Sequence, residues 1–217
     1  LEKLMNTFFR FLLAACMALM SAMAMAQPVA GVHAVTGFRS AHFGMDATQV
    51  HAAIVQDFKP ATDAVAVLEN PTEKTQIILL RLAKLEPGPG PASVSYILGA
   101  TSKRLMHINV VWKTDAIPSD EARNKVAAAG VELANYFRNL PWKPGASALG
   151  VADGHKGVVL FAGVDPNNAA IELRVSGVTT NGIDGVAAQP TGAAQLVLSY
   201  IADATKPDIA TIKPGTF

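Results

Sequence analysis

The chain has 217 residues, with 18 basic and 17 acidic side chains and a single cysteine, Cys16. A near-neutral balance argues against nucleic-acid binding, which needs a basic stripe, and there is no acidic or basic tail. One cysteine excludes a disulfide framework, so the fold has to be held by its core.

Leu1 to Leu4 precede a plausible start at Met5. Arg10 then leads into the apolar run "FLLAACMALMSAMAMA", and Ala24-Met25-Ala26 closes it with a small-x-small pattern. This predicts a secretory signal over residues 1–26, cleaved before Gln27. The run falls short of the roughly 20 residues of a spanning helix, which weighs against a retained anchor. "LAAC" (Leu13 to Cys16) matches a lipoprotein cleavage box, but the apolar run continues past it and the match is read as chance. The expected product is periplasmic and free of cysteine, with no stable membrane insertion after cleavage. Residues 27–217 are expected to form a single α+β domain, long enough to bury about 70% of its unfolded surface.

The first helix is signalled by "FGMDATQV" (Phe43 to Val50). Asp46 is a good N-cap, because its carboxylate can accept from the free N–H groups of the first turn. Gln49 completes a capping box, and Met45 with Val50 forms a hydrophobic staple. Gly44 permits the sharp turn before the cap. Ala47, Val50, Ile54 and Phe58 supply the helical spacing.

Strands follow. "AVAVLE" (Ala64 to Glu69) ends at the turn signal Asn70-Pro71. "TQIILLRLAKL" (Thr75 to Leu85) reads as a buried central strand. "EPGPGP" (Glu86 to Pro91) is a loop. "ASVSYILG" (Ala92 to Gly99) puts Val94, Tyr96 and Leu98 on one face. In "KRLMHINVVWK" (Lys103 to Lys113), alternation groups Leu105, His107, Asn109 and Val111 against Met106, Ile108, Val110 and Trp112.

Pro118-Ser119-Asp120-Glu121 starts a second helix, with the stripe Ala122, Val126, Ala129, Leu133 and Phe137. Gly130 inside it costs about 1 kcal/mol relative to alanine. "LPWKPGASALG" (Leu140 to Gly150) reads as a loop. "GVVLFAGV" (Gly157 to Val164) and "AAIELRVSGV" (Ala169 to Val178) are strands joined by the hairpin signal "DPNN". A glycine-rich loop spans Thr179 to Gly192, and "AQLVLSYIA" (Ala194 to Ala202) is the last strand. Runs of strands between two helices predict an antiparallel sheet with both helices on one face.

"VSYILGAT" (Val94 to Thr101) is like "LSYIADAT" (Leu198 to Thr205). A duplicated αβββ unit, with halves 37–113 and 118–205, is one explanation. Chance likeness between amphipathic strands is the other.

The search for chemistry returns little. There is no G-x-S-x-G elbow, no phosphate loop and no H-x-x-x-H pair among His33, His42, His51, His107 and His155. No metal site and no cofactor are therefore expected. The most site-like stretch is "VADGHKG" (Val151 to Gly157). There His155 could serve as general base, Asp153 as its orienting partner and Lys156 as an anion contact. The plainer reading is a polar turn. Arg39, His42 and Trp142 are the candidates for ligand or partner contact, with a core plug as the structural alternative for Trp142.

The "FGM-x4-V" helix start followed by strands resembles small periplasmic modules of the outer-membrane assembly lipoprotein and of the β-lactamase-inhibitor-protein superfamily. Phe38-Arg39-Ser40-Ala41-His42-Phe43-Gly44-Met45, with Val94-Ser95-Tyr96-Ile97-Leu98-Gly99, resembles uncharacterised exported bacterial proteins with an FR-x-A-x-FGM start. The first likeness implies a binding or scaffolding module. The second brings no activity. The chain departs from the first by lacking a lipid-anchored cysteine and the inhibitor type's cysteine pairs. The expectation is a non-catalytic periplasmic binding or accessory protein, whose partner is a protein or small ligand. A hydrolase at Asp153 and His155 and a subunit of an envelope assembly complex are the alternatives.

Overall fold

A computed structural model describes residues 31–152, 157–178 and 192–211. The expected signal peptide, the cleavage point at Gln27 and most of the glycine-rich loop lie outside the described residues, as do Asp153, His155 and Lys156. The described residues from Val32 onward belong to one compact unit.

A short hairpin, β1 (Gly37–Phe38) and β2 (Ala41–His42), precedes helix α1 (Ala47–Phe58). β3 (Val65–Asn70), β4 (Thr75–Leu82), β5 (Ala92–Leu98) and β6 (Leu105–Lys113) follow as a meander. Helix α2 (Asp120–Arg138) leads to β7 (Ser147–Ala148), β8 (Val151–Ala152), β9 (Gly157–Val164), β10 (Ala170–Ser176) and β11 (Gln195–Ile201). Among the described residues the main sheet has nine strands, each antiparallel to its neighbours. Its order is β3-β4-β5-β6-β11-β10-β9-β7, with β8 also pairing β9. The fold is α+β.

The helix starts are local chemistry. The Asp46 carboxylate accepts from the Gln49 N–H at 3.0 Å, and the Gln49 side chain accepts from the Asp46 N–H at 3.0 Å. The Ser119 hydroxyl caps α2 by accepting from the Ala122 N–H at 3.2 Å. Gly44 has φ +84, as the sharp turn requires.

Packing puts both helices on one face of the sheet. Val50, Ala53 and Ile54 of α1 join a single core with Val126, Ala129 and Phe137 of α2. Below them lie alternate strand residues: Ile78, Leu80, Val94, Tyr96, Ile108, Val110, Leu173 and Leu198. Each large aliphatic side chain buried this way contributes about 1.5–3 kcal/mol. α1 rests on β4, and α2 on β9, β10 and β11. Gly130 lets α2 approach closely: a Cβ there would run into Leu160 and Leu196. The glycine that weakens the helix in isolation is what allows it to dock.

Four details correct the sequence reading. β4 is next to the sheet edge and not central. Its inner face is buried through Ile78 and Leu80, while Arg81 is exposed. Leu105 does not share a face with His107: the register of β5 and β6 shifts at Ile97/Leu98, which turns Leu105 into the core. Such a shift inserts one residue and resets the alternation. The loop Leu140–Gly150 contains the two-residue strand β7, and the β1–β2 hairpin was not foreseen.

The two halves of the chain meet at the β6–β11 seam. The "VSYI" and "LSYI" stretches lie in β5 and β11, the two neighbours of β6. Tyr96 and Tyr200 pair with the same residue, Ile108, from opposite sides.

Candidate functional site

The helices cover one face of the sheet. Among the described residues no helix covers the other. Register brings four polar or charged side chains into one row across that open face. Ser95 pairs with Asn109, Asn109 with Ser199, and Ser199 with Glu172. Two residues along the strands, on opposite sides of the row, lie His107, paired with Ile97 and Ile201, and Arg174, paired with Val197. All six are half-buried.

The row is internally bonded. The Ser199 hydroxyl donates to the Asn109 side-chain oxygen at 2.7 Å. The Arg174 guanidinium donates to the Glu172 carboxylate at 2.8 Å. Burial lowers the His107 pKa, opposed by a hydrogen bond with Asn109 and by the Glu73 and Glu172 carboxylates. Its Nε2 is buried and lacks a partner among the described residues. A hydroxyl–amide–hydroxyl row beside an ion pair offers donors and acceptors on paired strands. It suits recognition.

The sequence candidates fall elsewhere. Arg39 occupies the turn of the β1–β2 hairpin with φ +54. Its guanidinium lies 4.5 Å from the centre of the Phe58 ring and 5.6 Å from that of Phe38. Next to it, the Asp57 carboxylate accepts from the Ser40 N–H at 3.0 Å and from the Ser40 hydroxyl at 2.6 Å. Phe38 packs on Tyr200, with ring centres 5.6 Å apart, so this hairpin sits on the helix side. Burial raises the Tyr96 pKa, helped by Asp57 and opposed by Arg39, and the Tyr96 hydroxyl has no partner among the described residues.

His42 is exposed and lines an open groove of about 490 Å³ with Val35, Phe43 and Asp165. The Asp165 carboxylate is fully engaged in its turn. It accepts from the N–H groups of Val35 at 3.0 Å, Asn167 at 2.7 Å and Ala169 at 3.0 Å. Trp142 is half-buried; its indole N–H donates to the Phe137 carbonyl at 2.7 Å, and its ring centre lies 5.5 Å from Phe161. His33 meets it edge-on at 4.9 Å. This is the geometry of a plug over the end of the core. None of Arg39, His42 and Trp142 belongs to the open-face row.

The sequence signalled the row only in part. Alternation put His107 and Asn109 on one face, and that holds. Ser199 is 90 positions from Asn109. Their meeting depends on the β6–β11 register, which no local pattern encodes.

Among the described residues there is no group of three or more His, Cys, Asp or Glu side chains able to hold a metal ion, and no helix long and apolar enough to cross a membrane. Comparisons with protein families, with curated proteins and with solved structures find no match.

Proposed function

We propose that the protein is a soluble, non-catalytic periplasmic binding or accessory protein that engages its partner through the open face of the sheet. The observation that carries this is the Ser95–Asn109–Ser199–Glu172 row, left uncovered by the helices among the described residues. A layered α+β fold spends one sheet face on its core. The other face is free to read a partner with polar groups held on rigid strands. Placement in the periplasm rests on the signal pattern of residues 1–26. The likeness to small periplasmic binding and scaffolding modules points the same way.

The test compares the parent protein with Ser199→Arg in crosslinking pull-downs from periplasmic extract. The variant sets a long cation in the middle of the row. A partner recovered with the parent and lost with the variant, at equal thermal stability, is expected. Equal recovery would remove the open face from the reading. Turnover by the parent on a panel of hydrolase and transferase substrates would overturn the non-catalytic part.

A further inference from the structure

A second surface lies at the β3 edge, separate from the open face. β3 ends the sheet, and it pairs with β4 without a register shift over all six residues. Among the described residues nothing pairs with its outer edge. Such an edge presents a row of free N–H and C=O groups, which only another extended segment can match. Proteins blunt edges with charged side chains, lysine above all, or with proline, bulges or very short strands. The opposite edge is blunted in this way: β7 and β8 are two residues each and flank Gly150, whose φ is +67. β3 contains no lysine, proline or bulge, and Val67 and Leu68 are 62% and 46% exposed.

Beside this edge runs an open groove of about 610 Å³ between α1 and β3, lined by Ala47, His51, Ala52, Val67, Gln76 and Ile78. Small side chains on α1 leave the space. Val65, Val67 and Glu69 face this side, because their partners in β4 are Leu80, Ile78 and Gln76, and Leu80 and Ile78 are core residues. The groove wall carries no carboxylate, lysine or arginine; Ala47, Ala52, Val67 and Ile78 make its apolar part, with Thr48, His51 and Gln76 beside them, so it favours uncharged side chains and offers an apolar surface to those opposite Val67. Glu69 is the one charge on β3, and it favours a basic residue opposite it.

A second copy fits poorly. α1 stands over β4, so pairing two β3 edges about a two-fold axis would hold the two α1 helices three strand spacings apart, about 14 Å. Packed helices lie about 8–10 Å apart. The contact would then be one strand edge, about 20 Å long, short of the roughly 800 Å² per partner of a stable interface.

We infer that the β3 edge and its groove bind an extended peptide segment of a partner by strand addition, antiparallel to β3, with the pattern basic-x-apolar-x-apolar. The basic residue lies opposite Glu69, and the apolar ones opposite Val67 and Val65. Backbone pairing supplies the affinity and the groove selects the side chains.

The experiment is a nuclear magnetic resonance titration of the labelled protein with the capped peptide Lys-Thr-Val-Thr-Val and its Glu-Thr-Val-Thr-Val counterpart. Shifts in the amides of Val65 to Asn70 and of Thr48 and His51 are expected. The lysine peptide should bind up to about five-fold more tightly, with the preference reversed in Glu69→Lys. Leu68→Lys should abolish binding by guarding the edge, and Ala52→Trp by filling the groove. Both positions are exposed, and the second variant serves if the first does not fold. No shift at β3 with millimolar peptide, or a charge preference that survives Glu69→Lys, would overturn the proposal. So would a concentration-dependent dimer that Leu68→Lys dissolves, which would give the edge to a second copy. Loss of β3 binding leaves the Ser199→Arg result at the open face untouched, so the two readings fail separately.

Discussion

The indole N–H of Trp112 donates to the Leu85 carbonyl at 2.7 Å, and Gly88 lies flat against the same ring. The loop "EPGPGP" is thus a cap on the end of the core. Trp112 is 2% exposed and has nowhere to go. A Cβ on Gly88 would fall within the indole. Gly88→Ala is therefore expected to destabilise the fold by about 1–3 kcal/mol, the usual cost of overpacking. Urea denaturation measures it. Gly90→Ala is a poor control, since Gly90 has φ +99; Ala83→Gly, at an exposed position before the loop, is a better one.

At the other end of the sheet, the reciprocal bonds of Asp46 and Gln49 predict a loss of about 1 kcal/mol for Asp46→Ala. Asp46 also meets Arg104 at 3.3 Å, but both side chains are about half exposed, so that pair adds little. Asp46→Asn keeps a capping oxygen and should lie close to the parent. Equal melting of Asp46→Ala and the parent would contradict the cap. Binding by the folded fraction should be unchanged.

The α1 start was legible because every group in it lies within a few residues. The same holds for the Asn70 turn, where the side-chain oxygen accepts from the Thr72 and Glu73 N–H groups. Strand cores were legible from alternation, as at Val94, Tyr96 and Leu98. Alternation failed where the chain inserts a residue, at Leu105, and where strands are too short to show a period, at β1, β2, β7 and β8. The position of β4 was misread because isoleucine and leucine on its outer face look like full burial. Ile77 and Leu79 are half-buried on the open face. The Asn109–Ser199 contact was beyond reach, because sequence carries no direct record of which distant strands become neighbours.

Trp142 gives a third prediction. Its ring fills space against Phe161, and a Cβ on Gly163 would strike it. Trp142→Phe retains an aromatic ring and removes the N–H donor to the Phe137 carbonyl. The expected cost is about 1 kcal/mol, near the net worth of one hydrogen bond. Denaturant midpoints check it. A variant of unchanged stability that loses partner capture would instead make Trp142 a contact residue.

The last prediction concerns pH. Burial holds the His107 pKa below its ordinary value of 6.5, against the opposing pull of Asn109, Glu73 and Glu172. Burial also lowers His33, opposed by Asp165. In the unfolded chain both titrate near 6.5. Between the folded and unfolded values the unfolded chain binds more protons, so stability rises with pH there. The contribution is fully present above about pH 6.5, and it is lost as pH falls through the folded values. Unfolding free energies at pH 7.5 and pH 5 should therefore differ, with the protein weaker at pH 5. His107→Gln cannot take up the proton, so its difference should be smaller, and His33→Gln should shrink it independently. A pH difference in His107→Gln as large as in the parent would show that His107 is not held neutral by its surroundings.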